Sequence, residues 1–256
     1  MKDKFWYLKN CDLFERLTAT QVERLEARCK AKAFQRGALV YLPADEEDSV
    51  LLLMSGRIKI YHLTTEGKQA LLAFIDPGEI FGELTLLESR AREEYAETME
   101  SSSVLRIPGS EIRLLMEEHA SVSLGVTKLM GFRRRRVERR LKSMLFRSNR
   151  DRLIHLLLEL AEKYGRPTVD GVLLNIKLSH QELANIIGST RETVTVILGE
   201  LQAENNIVIN KRKITLSSLD KLAESIDISP PELSQPEDLG NRLLRESRMK
   251  SQPKAL

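Results

Sequence analysis

The stretch that most constrains this chain is Leu178–Leu201, LSHQELANIIGSTRETVTVILGEL. Read with a 3.6-residue period, it gives two short amphipathic helices about Gly188. Leu183, Ala184, Ile186 and Ile187 are the apolar face of the first, and Val194, Ile197, Leu198 and Leu201 that of the second. Ser179 is placed to cap the first helix; Ser189, with Glu192 three residues later, predicts a capping box on the second. Two short helices across a glycine turn have the helix-turn-helix form, which lays its second helix in the DNA major groove. Thr190, Arg191, Glu192 and Thr195 are left facing outward near the N-terminal end, where base edges are read. Arg191 can take guanine O6 and N7 and Glu192 a cytosine amino group, while Thr193 and Thr195 can reach phosphates or a thymine methyl. The competing reading is a helical hairpin with a solvated charged face.

The stretch resembles the helix-turn-helix of the cyclic-AMP receptor protein/FNR family, through Leu178-Ser179-x-x-Glu182-Leu183-Ala184, Gly188-x-x-Arg191-Glu192-Thr193-Val194 and Leu198-x-x-Leu201. The resemblance implies a winged helix-turn-helix with Ser179, His180, Gln181, Ser189 and Thr190 beside Arg191 and Glu192 at the DNA. Many members have a second arginine five residues after the first; Val196 stands there in this chain. The runs Ile207–Ile209 and Ile214–Leu216 fit a wing whose tip, Lys211, Arg212 and Lys213, is a natural phosphate contact.

The N-terminal half has short β-prone runs at 39–42, 50–54, 57–63, 70–75, 96–99 and 103–107, separated by turns such as Asp76-Pro77-Gly78 and preceded by a helical 11–35. Many short strands predict a β-roll or jelly roll. This half resembles the family's cyclic-nucleotide-binding roll through Leu52–Tyr61 and Pro77–Leu84. There the resemblance implies that Gly82, Glu83 and Leu84 open a short helix holding a cyclic phosphate and ribose. An Arg-Ser pair should follow, but the chain reads Arg90-Ala91-Arg92-Glu93-Glu94. Arg92 fits the arginine position, and Glu93 then replaces the serine; a carboxylate beside a bound phosphate is unfavourable.

Residues 111–147 read as one helix whose stripe runs through Val126, Met130, Arg133, Val137, Leu141 and Met144. That spacing approximates a coiled-coil seam and fits the homodimer of the family. Two facing arginines at Arg133 need an anion. Glu138, Glu93 with Glu94, or a small dicarboxylate can supply it. A narrower resemblance, to the nitrogen-control branch that senses 2-oxoglutarate, rests on Leu178-Ser179-His180-Gln181, Gly188-Ser189-Thr190-Arg191 and Lys211–Thr215, and matches Arg133 and Glu138 to a helix pair of that branch. The effector expectation is therefore 2-oxoglutarate, a cyclic nucleotide or none, with a constitutive form in which protein ion pairs replace the ligand as the alternative.

The expected class is α+β: a roll over 1–110, a dimerisation helix over 111–147, a winged helix-turn-helix over 148–225, and a flexible tail over 226–256 with a short helix at 241–249. Residues 149–164 are a further amphipathic helix, and the loop to Gly171 is an RNA polymerase contact by resemblance. The net charge of +3 hides an asymmetry: 17 Lys and Arg against 21 Asp and Glu in residues 1–130, and 23 against 16 in residues 131–256. A basic C-terminal half suits double-stranded DNA. No apolar run is long enough to cross a bilayer and no signal peptide opens the chain, so a cytoplasmic place is expected. Cys11 and Cys29 are packed thiols or a redox pair, too few for a cluster of thiolates. His62, His119, His155 and His180 show no metal-ligand spacing, and no nucleophile has a histidine neighbour, so neither a metal site nor an enzyme is expected.

Overall fold

A computed structural model describes residues 4, 8, 11–14, 16–46, 48–65, 67, 69–87, 92–210 and 213–233. It divides into two compact units, Met1–Ser143 and Met144–Leu256.

The first unit opens with a 3-10 turn, Asp12–Phe14, and helix α1, Ala19–Arg28. Thr18 caps α1 in a reciprocal box with Gln21. Eight strands follow: β1 (Lys30–Phe34), β2 (Leu39–Tyr41), β3 (Ser49–Ser55), β4 (Ile58–Leu63), β5 (Gln69–Ile75), β6 (Ile80–Phe81), β7 (Tyr95–Thr98) and β8 (Ser102–Pro108). A 3-10 turn, Glu83–Leu86, separates β6 from β7. The strands form two antiparallel sheets, ordered β1-β8-β3-β6 and β2-β7-β4-β5. Helices α2 (Gly109–Glu118) and α3 (Ala120–Phe146) come after them.

β3 shows how the roll is held together. Val50 through Met54 are all buried, although a strand's side chains alternate between two faces. Leu51 and Leu53 join Phe34, Ile58, Phe81 and Val104 in a core between the sheets. Val50, Leu52 and Met54 point the other way, into a second core closed by Phe14, Leu25, Ile112 and Val122. The sheet is thus covered on both faces, which is why β3 reads as an unbroken apolar run.

Two expectations fail here. The helical reading of 11–35 runs over β1, whose KAKAF sequence has good helix formers but pairs with β8 from Lys30↔Arg106 to Phe34↔Ser102; tertiary pairing outweighs propensity. The single helix over 111–147 is two helices, broken at His119, which is extended (φ −134°, ψ 104°). His119 Nε2 lies 2.7 Å from the Gln21 side-chain nitrogen, and Ser123 Oγ donates to the Met116 carbonyl at 2.6 Å. These contacts hold the break without proline or glycine. The expected seam is also divided: Val126 is 2% exposed and Met130 packs beside it on the chain's own roll, while Val137, Leu141 and Met144 stay open to water.

The second unit begins with α4, Asn149–Tyr164, capped by Ser148 in a box with Asp151. A hairpin of β9 (Gly165–Thr168) and β10 (Gly171–Leu174) stands where a loop was expected. Then come α5 (His180–Ile187), α6 (Arg191–Ala203), β11 (Ile207–Asn210), β12 (Lys213–Leu216) and α7 (Leu219–Glu224). The sheet order is β11-β12-β10-β9, so the wing hairpin continues into the β9–β10 pair. The predicted inward residues of α5 and α6 are all buried, and α4 buries Leu153, Leu156, Leu157 and Leu160. Residues 241–249 lie outside the described residues.

Candidate nucleic-acid interface and roll site

α5 ends at Gly188, in the left-handed region with φ +66°, and both Gly188 and Ser189 donate their N–H to the Ala184 carbonyl. That closure takes Ser189 into the exit of α5. The start of α6 therefore passes to Thr190, whose Oγ1 accepts from the Thr193 N–H at 3.2 Å. The expected Ser189–Glu192 box does not form, because Ser189 is one residue too early. Arg191 and Glu192 occupy the first turn of α6 and are exposed. The Thr193 hydroxyl is turned toward Thr190, 3.0 Å away.

Thr195 Oγ1 donates to the Arg191 carbonyl at 2.8 Å, and His180 Nδ1 lies 2.8 Å from Thr195 Oγ1. A hydroxyl has one proton, so His180 donates to it from Nδ1. His180 thus ties the start of α5 to the start of α6. Ser179 is held in a capping box with Glu182, and Gln181 donates to Asn185 at 2.8 Å. Lys213 is exposed at the start of β12; Lys211 and Arg212 lie outside the described residues. From behind, Arg152 of α4 donates to the Ile187 carbonyl at 2.8 Å, and Arg150 grips Glu200 and Glu204 of α6. Sequence reasoning missed both. Arginines at the start of a helix that packs under the motif were the available signal.

The roll site is built on the Gly82 turn. Gly82 has φ +69°, and a Cβ there would collide with the Arg92 guanidinium. Arg92, 7% exposed, lies over the Tyr41 ring at 4.2 Å and donates to the Ser49 carbonyl at 2.6 Å and to the Gly82 carbonyl at 3.4 Å. Glu83 is 1% exposed, and burial raises its carboxyl above the ordinary value while Arg133 pulls it back down. Arg133 Nη1 donates to both Glu83 oxygens at 2.5 and 2.6 Å, and Nη2 to the Ile80 carbonyl at 2.5 Å.

Within the chain the anion that meets Arg133 is Glu83, which was not among the protein groups expected to answer it. Glu138 pairs with Arg134 at 2.7 Å, one turn away and exposed, and Glu94 accepts from the Tyr41 hydroxyl at 3.1 Å. Glu83 is fifty residues from Arg133 in sequence, and no spacing rule reaches that far. Leu84 is exposed on the turn. Cys11 and Cys29 are free and buried, and burial pushes the Cys29 thiol up to about 12. Among the described residues no group of His, Cys, Asp or Glu is placed to hold a metal, and no helix is long and apolar enough to cross a membrane.

Comparison with known proteins gives the same two modules. A cyclic nucleotide-binding domain matches residues 31–119, and a Crp-like helix-turn-helix domain matches residues 151–225. The chain is 30% identical over 187 residues to the global nitrogen regulator of Synechocystis sp., covering 72% of this chain and 83% of that protein. It is 23% identical over 216 residues to a CRP-like cAMP-activated global transcriptional regulator of Mycobacterium tuberculosis, covering 84% and 96%. A CRP/FNR-family transcriptional regulator from Thermus thermophilus superposes with a TM-score of 0.62 at 26% identity, covering 78% of this chain and all of that one. With roll, turn and recognition helix all in place, the chain belongs to the Crp/Fnr family of DNA-binding transcription regulators.

Proposed function

We propose that this regulator acts as a homodimer whose DNA binding is gated by a small anionic effector at the roll site. The observation that supports the gate is the Glu83–Arg133 pair, which fastens the Gly82-Glu83 turn to α3. An anion that takes Arg133 Nη1 displaces Glu83, so filling the site and loosening the turn from α3 become one event. Such a link makes the effector's affinity and the helix position thermodynamically coupled. Arg92 supplies a second cation beside the turn. The candidates are 2-oxoglutarate and a cyclic nucleotide, by likeness to the nitrogen regulator and the cAMP-activated regulator.

Val137, Leu141 and Met144 are the dimer stripe in this reading, and one α6 from each protomer enters successive major grooves. Arg191 and Glu192 read base edges. Ser179, His180, Gln181, Ser189, Thr190, Thr193, Thr195, Lys211, Arg212 and Lys213 contact phosphates or frame the readers. The β9–β10 hairpin is the RNA polymerase contact. The protein works in the cytoplasm, by binding and not by catalysis.

The test is thermal shift and DNA-binding anisotropy with cyclic AMP, cyclic GMP and 2-oxoglutarate. At least one should raise the melting temperature and change DNA affinity. No response to any of them, with full affinity in their absence, would establish the constitutive form instead.

A further inference from the structure

A separate cavity lies in the first unit. Its volume is about 690 Å³, and it opens between the N-terminal 3-10 turn, the β5–β6 connection and α3. That size is typical of sites that enclose a small organic ligand. It shares Ile80 and Arg133 with the roll site but includes none of Gly82, Glu83, Leu84 and Arg92.

Its walls are apolar: Leu13, Ile75, Ile80, Leu124, Leu129 and Phe132. Leu124 is 53% exposed and Phe132 is 61% exposed, so a substantial apolar surface is left wet. The same cavity is lined by Arg16, Lys128, Arg133 and Arg139, and Arg135 stacks on the Phe132 ring at 4.8 Å. Glu79 is the one acid among the lining residues, and its carboxylate accepts from the Asp76 N–H at 3.0 Å. Arg133 already has Glu83, but a neutral apolar molecule would bring no counter-charge to Arg16, Lys128 and Arg139. A compact polar anion would leave the walls wet. The combination selects a molecule with one carboxylate and an apolar tail.

The dimer stripe does not account for the exposed residues. At roughly 100° per residue, Leu124, Lys128, Phe132 and Arg139 lie on the order of half a turn around α3 from Val137, Leu141 and Met144. A second copy seated on that stripe leaves this side of the helix open.

We infer that the cavity binds an amphipathic monocarboxylate, with its tail against Leu124 and Phe132 and its head among Lys128, Arg16 and Arg139. The inference does not depend on the identity of the roll effector. The probe is decanoate, kept below its micellar concentration, with decanol as the uncharged comparison and the full chain in calorimetry and thermal shift. Decanoate should bind in the micromolar range and decanol at least tenfold more weakly. Phe132→Ala and Lys128→Glu should each weaken decanoate at least tenfold while leaving the melting temperature without decanoate unchanged. Leu124→Cys should react with a maleimide in the dimer, against slow labelling of the buried Cys11 and Cys29, and decanoate should protect it.

Absence of heat and thermal shift would overturn the site, as would equal binding of decanol or full binding by both variants. An unreactive Leu124→Cys in the dimer would assign this face to a second copy and also overturn it. Responses to cyclic nucleotides and 2-oxoglutarate are read separately, so failure of either idea leaves the other standing.

Discussion

The roll site and the recognition helix both offer arginines to an anion, but they hold them in opposite ways. Arg133 and Arg92 are tied to the Glu83 carboxylate and to the carbonyls of Ile80, Ser49 and Gly82. Arg191 stands exposed on the first turn of α6 and, among the described residues, makes no ion pair. A buried charge must have a permanent partner, because an unpaired one is costly to desolvate. An exposed one can wait in water for a partner that comes and goes. The first arrangement therefore contributes to folding, and the second leaves the Arg191 side chain open to a partner arriving from solution.

The largest effect should come from removing the permanent partner. Arg133→Ala leaves Glu83 buried and charged, which should cost about 3 kcal/mol of unfolding free energy at neutral pH. Burial already raises the Glu83 carboxyl in the folded state, and losing Arg133 raises it further. A carboxyl raised in this way favours the folded state most when protonated, and that advantage is lost as the pH climbs through its folded value. The penalty of Arg133→Ala should accordingly shrink as the buffer is taken from about pH 7 to about pH 5. Urea titrations at both values check this, and a penalty independent of pH would show that Glu83 is not the group responsible.

Gly82→Ala is next. It forces a side chain into a left-handed conformation and against the Arg92 guanidinium, and should lose about 2 kcal/mol. Arg191→Ala should leave stability within about 0.5 kcal/mol. It should weaken specific DNA about tenfold, roughly 1.4 kcal/mol, with random-sequence DNA much less affected. Equal loss on both would remove Arg191 from base reading. The smallest effect belongs to Gly188→Ala. Its φ matches that of Gly82, but a new Cβ would press only on the end of the flexible Met144 side chain at 3.0 Å, with the Arg152 guanidinium at an ordinary contact distance of 3.7 Å. About 1 kcal/mol is expected. If Gly188→Ala proved as costly as Gly82→Ala, the fixed guanidinium would not be what separates them.

The same division decides what could be read from the sequence. The helix-turn-helix is local: its cap, its glycine and eight apolar positions fall within Leu178–Leu201, and the eight positions that periodicity picks out are all buried. The Ser189 cap was misread because the sequence shows Ser-x-x-Glu but not the Gly188 closure, which draws Ser189 into α5. β1 was illegible because its strand state comes from β8, some seventy residues on. Arg133 was correctly singled out as a charge needing an anion. Its partner was missed because Glu83 looked like a ligand group, and because the fold, not the spacing, brings α3 to that turn. The cluster of Arg92, Tyr41 and Glu94 is likewise assembled from strand β2 and the loop that leads into β7.

β3 has a consequence for the chain as it is made. Val50–Met54 are apolar on both faces, and β3 lies between β8 and β6 in its sheet. Until Ser102–Pro108 have been synthesised, that strand has no neighbour on its β8 side and no way to complete either core. A newly made roll is therefore at its stickiest over the interval between residues 55 and 102, when a flat apolar strand is free to pair with another chain. Fragments ending before β8 should collect as aggregates, while those extending through Pro108 should gain solubility abruptly.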